Sequence, residues 1–123
     1  MVRAMVRVAL VVAVALAGCA QTDNDRPATV EYITEAILQP SCGQYTCHSS
    51  YRMEKGYAFD TVEAAKRSLA LLVVRNEPDS SLLYQSLTRT ITRMPYDSPL
   101  PNKDIELIRT WIMGSAGDEL GLP

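Results

Sequence analysis

The apolar side chains of this chain form one short unbroken run near the start and three stripes with helical spacing further along. The unbroken run covers residues 8–17 and follows Arg3 and Arg7, with no acidic residue before it. It is too short to span a bilayer as a helix, and a basic segment followed by a short apolar run is typical of an export signal. We therefore assign residues 1–18 to a signal peptide and exclude them from the fold.

The three stripes predict an all-α domain of about four short helices joined by long loops. Helices are predicted from about 29 to 39, from 60 to 73, from 78 up to a loop at 88–101, and from 102 to 114 or 117. Thr29 and Asn102 are predicted N-caps, and Asp60 with Glu63 resembles a capping box. The stripes consist of Val30, Ile33, Ile37 and Leu38, then Leu82, Leu83 and Leu87, then Ile105, Ile108, Trp111 and Ile112.

Length and composition support one small domain, since the chain has 123 residues, of which 47% are hydrophobic and 21% charged. Residues 20–28 are polar and rich in helix breakers, so we expect residues 19–28 to form a flexible tether. The domain then covers 29–117, and 118–123 form a C-terminal tail. Beyond the leader, 10 basic residues against 14 acidic ones leave a net charge of −4. Because no basic cluster stands out, the sequence does not favour nucleic-acid binding.

The signal ends in the sequence Leu16-Ala17-Gly18-Cys19, which resembles the lipobox of bacterial lipoproteins. The resemblance implies lipid attachment at Cys19 and anchoring on the periplasmic face of the cell envelope. Ala20 stands where an Asp would favour the inner membrane, so the outer membrane is the expected location. The alternative is simple secretion, with Cys19 removed or left free.

The remaining cysteines, Cys42 and Cys47, have four residues between them, and the sole histidine, His48, directly follows Cys47. The attachment signature of c-type haem is Cys-x-x-Cys-His, two residues shorter. The adjacent cysteine and histidine are the rigid part of that signature, because the imidazole has to meet the iron beside a thioether. The first cysteine only has to reach the second vinyl group, and we expect Gly43 to give a longer loop the necessary backbone freedom. The spacing therefore favours one haem c per chain, with His48 as an iron ligand.

Other uses of the cysteine pair stay open. An exported compartment is oxidising, so a disulfide between Cys42 and Cys47 is the main alternative. That alternative leaves the position of His48 beside Cys47 unexplained. A zinc site is disfavoured, since two cysteines and one histidine fall short of four ligands.

A methionine often provides the second axial ligand of a haem iron, and three methionines lie beyond the leader and the tether. Met53 follows His48 too closely to reach the other haem face, and Met113 belongs to the last helix and is expected to pack in the core or at the surface. Met94 lies 46 residues after His48, in the proline-rich loop, where Pro95 restrains its backbone to extended angles. Met94 is therefore the predicted iron ligand.

With these motifs in place, the segment from about Val30 to Ala116 resembles the small haem-binding cytochrome c domains of exported bacterial proteins. The matching pieces, in order, are residues 37–42, 77–84, 93–95, 100–104, 108–112 and 114–116. The resemblance implies a class I-like cytochrome c fold around a haem, in which the first and last helices pack across each other and Trp111 faces the first helix. It also implies thioether bonds at Cys42 and Cys47 and axial ligation by His48 and Met94. The chain departs from the usual pattern in its widened cysteine spacing.

The expected function is electron transfer between a redox protein donor and acceptor, with no small-molecule substrate. The alternative is a haem-free structural or interaction lipoprotein in which Cys42 and Cys47 form a disulfide. A peroxidase or other enzyme is disfavoured, because such chemistry needs an open iron site and a distal acid–base group, and the only histidine is already used.

Overall fold

The structure is a computed structural model, and it describes residues 24–123. Its first helix, α1, covers residues 30–41 and consists of an α-helical turn at Val30–Ile33, a π-helical turn at Thr34–Leu38 and a last turn at Gln39–Ser41. The N-cap is Thr29 as predicted, and its hydroxyl accepts a hydrogen bond from the Tyr32 N–H.

α1 continues past Pro40, beyond the end that the sequence predicts at about residue 39. A proline in an α-helix clashes with the carbonyl four residues earlier and donates no hydrogen bond. The π-helical turn just before it, in which Gln39 N–H donates to the Thr34 carbonyl, widens the helix at that point. The helix then ends with the N–H groups of Cys42 and Gly43 both donating to the Leu38 carbonyl, at 2.6 and 2.8 Å. The cysteine segment therefore starts directly from the end of α1.

Helix α2 covers Val62–Leu72, and helix α3 covers Leu82–Thr88 after a 3₁₀ turn at Pro78–Ser80. The N-cap of α2 is Thr61, whose hydroxyl accepts from the Ala64 N–H at 3.1 Å. The sequence had placed this cap one residue earlier, at Asp60. The Asp60 carboxylate instead holds the segment that follows His48, as described below.

Helix α4 covers Asn102–Met113, with Pro101 rather than Asn102 in the N-cap position and Gly114 in the C-cap position. A short fifth helix, α5, covers Ala116–Glu119, so the domain boundary expected at residue 117 falls inside a helix. Beyond that boundary, one carboxylate oxygen of Glu119 accepts from the Val30 N–H at 2.8 Å and from the Trp111 indole N–H at 2.6 Å. The C-terminal residues thus tie the start of α1 to α4.

The polar segment before α1 is also attached to the domain in its described part. Arg26 forms an ion pair of 2.6 Å with Asp104, and Asn24 donates to the Lys103 carbonyl at 2.6 Å. Residues 24–28 therefore run along the start of α4.

Within residues 24–123 the secondary structure is helical, with five helices and no strand, which confirms the predicted all-α class. α1 contacts both α2 and α4, and α3 packs against α2 and α4. Trp111 of α4 is fully buried in the same core as α1, together with Val30, Ile33, Ile37, Leu38, Leu69, Leu107, Ile108 and Ile112. None of the described helices is long and apolar enough to cross a membrane.

Candidate haem-binding cleft

An apolar cleft opens between the end of α1, the segment at 48–59, and helices α2 and α3. Its volume is about 160 Å³, and part of it is open to solvent. The walls comprise Leu38, Cys42, His48, Lys55, Tyr57, Phe59, Leu72, Leu82, Leu83, Ser86, Leu87, Arg89 and Met94. A second cavity adjoins it, and Cys42, His48 and Met94 line both.

Of the predicted ligand residues, the structure brings Cys42, His48 and Met94 to one cleft and places Cys47 in the adjoining cavity. Both cysteines are free thiols, with Cys47 exposed and Cys42 half-buried. Burial, and after it the proximity of Cys47, raises the pKa of the Cys42 thiol to about 11. The Cys42 thiol is therefore protonated at neutral pH, and of the pair Cys47 is the one open to solvent.

The widened loop between the cysteines is closed by its own backbone. His48 N–H donates to the Cys42 carbonyl at 3.1 Å, and Cys47 N–H donates to the Gln44 carbonyl at 2.9 Å. These bonds satisfy backbone groups that the two extra residues of the loop would otherwise leave without partners. The extra spacing is thus accommodated as an ordered turn that leaves Cys42 and His48 side by side.

Gly43 was expected to give this loop backbone freedom, but its role in the structure is a different one. Its φ does not lie in the left-handed region. Instead, a Cβ added at Gly43 would stand 2.7 Å from the carbonyl oxygen of Phe59 and 3.0 Å from the N of Asp60. Glycine is needed here because the loop packs against the backbone of 59–60, not because it must adopt an unusual dihedral angle.

The His48 ring stands against two aromatic side chains. It meets Phe59 edge-on, with 5.4 Å between ring centroids, and lies 6.3 Å from Tyr57. The extended segment carrying both aromatics is fixed to α2, because the Ser68 hydroxyl accepts from Ala58 N–H and donates to Ala58 C=O. Residues at alternate positions of an extended segment share a face, so the spacing of Tyr57 and Phe59 was a usable sequence signal that both flank one site.

The Nδ1 atom of His48 is buried and has no hydrogen-bond partner. A buried polar atom without a partner costs about 1–3 kcal/mol, and a water, an ion or a cofactor can serve as that partner. An imidazole held in this way in an apolar cleft fits the role of an iron ligand. In the described part of the chain no group of three or more His, Cys, Asp and Glu side chains could hold a metal ion.

Met94 reaches the cleft from the proline-rich loop. Its N–H donates to the Ser86 carbonyl of α3 at 2.9 Å, which fixes the loop to that helix. The side chain is half-buried and lines both cavities, whereas Met53 and Met113 are 47% and 49% exposed and line neither of them. Cys19 and the signal peptide lie outside the described residues.

Asp60 holds the segment just after His48. Its carboxylate accepts from the N–H and the hydroxyl of Ser50, both at 2.8 Å, and these bonds, the backbone one first, lower the pKa of Asp60. A carboxyl with a lowered folded-state pKa stabilises the fold above its unfolded pKa of about 3.8, and the contribution is lost as pH falls through the lower folded value.

We therefore expect Asp60→Asn to lower the free energy of unfolding at pH 7, with the difference from the unmodified chain shrinking below about pH 4. Urea unfolding at pH 7 and pH 3 measures both. Asp79→Asn, at an exposed carboxylate that accepts no hydrogen bond within residues 24–123, serves as the control. A difference that is equal at both pH values would show that the carboxylate charge is irrelevant.

A tight turn beside the cleft contains three residues in the left-handed region: Met53, Lys55 and Gly56, with φ of 47°, 57° and 84°. Such a conformation is costly for lysine and free for glycine. Lys55→Gly is expected to raise the free energy of unfolding by about 1 kcal/mol, and Gly56→Ala to lower it by about 1 kcal/mol. Because nothing lies within 4 Å of an added Cβ at Gly56, the second change isolates the backbone effect. Unfolding by denaturant measures both free energies. Changes of the same sign in the two variants would contradict the assignment of strain to Lys55.

The chain matches no protein-family model, and the searches of curated proteins and of solved structures find no match either.

Proposed function

We propose that this chain is a membrane-anchored electron-transfer protein carrying one covalently attached haem c. Cys42 and Cys47 would hold the haem as thioethers, with His48 and Met94 as its axial iron ligands. The observation that carries the proposal is that Cys42, His48 and Met94, which span 53 positions of the sequence, line the same apolar cleft. The contact between α1 and α4 and the burial of Trp111 support the class I-like arrangement of first and last helices.

The residues of the cleft suit such a cofactor. Haem supplies one-electron iron chemistry when bound, and its potential depends on the axial ligands and the polarity of its surroundings. Phe59 and Tyr57 orient the His48 ring, and the bond from Met94 N–H to α3 positions the thioether. Leucine side chains of α1, α2 and α3 make most of the remaining wall and exclude water. If His48 and Met94 both bound the iron, they would keep small-molecule substrates from it, so we propose no enzymatic activity.

The proposed setting is the periplasmic face of the cell envelope, with a lipid on Cys19 and the outer membrane favoured by Ala20. The partners would be a redox protein donor and acceptor. The acidic balance of the chain, at a net charge of −2 overall, favours basic partner surfaces and a salt-sensitive association rate.

A haem-free lipoprotein with a disulfide between Cys42 and Cys47 is the second candidate. It is supported by the proximity of the two thiols, which is close enough for Cys47 to raise the pKa of Cys42. The two candidate functions differ in the covalent state of the Cys42 and Cys47 sulfur atoms. Measurements on one purified sample can therefore distinguish them.

The deciding experiment is to express the chain with its leader in a bacterium competent for cytochrome c maturation and to measure the mass and spectrum of the purified protein. We expect a red protein whose absorption survives denaturation and whose mass is increased by one haem. A colourless, correctly processed chain, two hydrogen atoms lighter than the free dithiol, would overturn the proposal in favour of the disulfide. Cys42→Ser with Cys47→Ser is the control and is expected to carry no covalent haem.

Met94→Ala tests the second axial ligand. The haem should stay attached, the sulfur–iron absorption band should disappear, and the midpoint potential should fall by on the order of 0.1 V, since thioether ligation raises it. Met53→Ala and Met113→Ala are matched controls and should leave spectrum and potential unchanged. An unaltered Met94→Ala spectrum would remove Met94 from the site.

A further inference from the structure

The cleft and the adjoining cavity differ in charge: Glu54 and Asp97 line the cavity beside Cys47, whereas the cationic side chains line the cleft. The cleft walls contain two cationic side chains, Lys55 and Arg89, and no acidic one. Neither makes an ion pair with any residue in 24–123. In a chain with more acidic than basic residues, two unpaired cations beside an apolar cleft point to an anionic part of the ligand.

Both side chains are exposed, so their charges stand where the cleft meets solvent while its interior is apolar. Arg89 is the C-cap of α3, and its Nε donates to the Thr92 carbonyl at 2.9 Å. That bond orients the guanidinium and leaves its terminal nitrogens without a partner in the described part of the chain. A guanidinium presents such nitrogens as a fork that matches a carboxylate.

Lys55 reaches the cleft from the strained turn at 53–56. A non-glycine residue at φ 57° is uncommon, and backbone strain of this kind clusters at ligand-binding sites. In the same turn Met53 is also strained, whereas Gly56 occupies the left-handed region without cost. Of the two strained side chains, Lys55 is the one that lines the cleft.

We propose that Lys55 and Arg89 form a carboxylate-binding pair that holds the acid groups of an amphiphilic ligand whose apolar body fills the cleft. The inference rests on the proposed function, in which these acid groups are the two propionates of haem. The pair would set which edge of the porphyrin faces solvent and would hold it in place before thioether formation.

The test uses the unloaded chain, purified from a strain without cytochrome maturation, and two probes that differ only in their acid groups. Iron mesoporphyrin has two free carboxylates and ethyl groups that cannot react with thiols, and its dimethyl ester lacks the negative charges. Affinities for both are measured by absorption titration for the unmodified chain, Lys55→Gln, Arg89→Gln and the double variant. Arg109→Gln, at an exposed arginine of α4 that lines neither cavity, controls for net charge.

We expect the diacid to bind the unmodified chain about tenfold more tightly than the diester, which corresponds to about 1.4 kcal/mol. Each single change should remove part of that preference and the double change should reduce it to about twofold or less, with the diester affinity unaltered. Equal binding of the two probes, parallel loss of both in the variants, or an equal effect of Arg109→Gln would overturn the carboxylate pair and leave the haem cleft standing. Failure of both probes to bind would overturn the pair together with the proposed function.

Discussion

His48→Ala is expected to abolish the low-spin haem spectrum of the mature protein. This effect on the spectrum should be larger than that of Met94→Ala. His48 is the only imidazole in the chain, so no second histidine can replace it. Its ring nitrogen Nδ1 makes no hydrogen bond, and the ring meets Phe59 edge-on and lies tilted to Tyr57 at 6.3 Å between centroids. Removal of the ring should therefore leave the fold intact, because the loop is closed by backbone bonds that alanine retains.

The experiment is to add free imidazole to the purified His48→Ala chain and to record its spectrum. The deleted ring leaves space in a cleft that is open to solvent, so imidazole at millimolar concentration should enter and restore a low-spin spectrum. Circular dichroism checks that the fold is retained. If His48→Ala keeps the spectrum of the unmodified protein, then His48 is not the ligand. If imidazole does not restore the low-spin spectrum although the fold is retained, then the deleted ring did not face the iron.

The sequence predicted the helices wherever an apolar stripe coincided with a cap or a breaker. Thr29 caps α1, Gly114 ends α4, and Trp111 lies in the core as its spacing required. Local patterns suffice for such elements, because they depend on helical period and on backbone groups a few residues away.

The boundaries that the sequence missed depend on contacts between distant parts of the chain. α5 is a four-residue helix, too short to be predicted from its own residues, and it packs because Glu119 bonds to Val30 and Trp111. Asp60 and Thr61 are both good N-caps, and Thr61 caps α2 because Asp60 is bound to Ser50 across the loop. Neither the formation of α5 nor the choice of Thr61 as N-cap can be predicted from the residues of a single helical turn.

The residues of the candidate site also fall into two groups, those that the sequence predicts and those that only the fold brings together. Cys42, His48 and Met94 were predicted by chemistry and spacing, and the structure places all three on one cleft. Lys55 and Arg89 carry no motif, since an isolated lysine and arginine in loops are ordinary surface residues. Only the fold shows that they flank the cleft together.

Gly43→Ala should have the largest effect on stability of any change proposed, although the residue carries no chemistry. The added Cβ would lie 2.7 Å from the Phe59 carbonyl oxygen and 2.8 Å from its carbon. These are backbone atoms, fixed in turn by the bond from Phe59 N–H to the His48 carbonyl at 2.6 Å. The clash cannot be relieved by a side-chain rotation, so we expect a loss of about 2–3 kcal/mol, at the upper end of the usual cost of overpacking.

The matched control is Gly117→Ala, where an added Cβ meets atoms at 2.6–2.8 Å that belong to the Arg75 side chain. Arg75 is held by bonds to Asp118 and the Leu122 carbonyl, which lie near the surface, and it can move at a cost of about 1 kcal/mol or less. Urea unfolding of the unloaded chains gives both values. Because the Gly43 clash separates the cysteine loop from the segment carrying Phe59, Gly43→Ala should also reduce the yield of covalent haem, whereas Gly117→Ala should not. Equal destabilisation by the two changes would show that the close approach of the cysteine loop to residues 59–60 does not hold the site together.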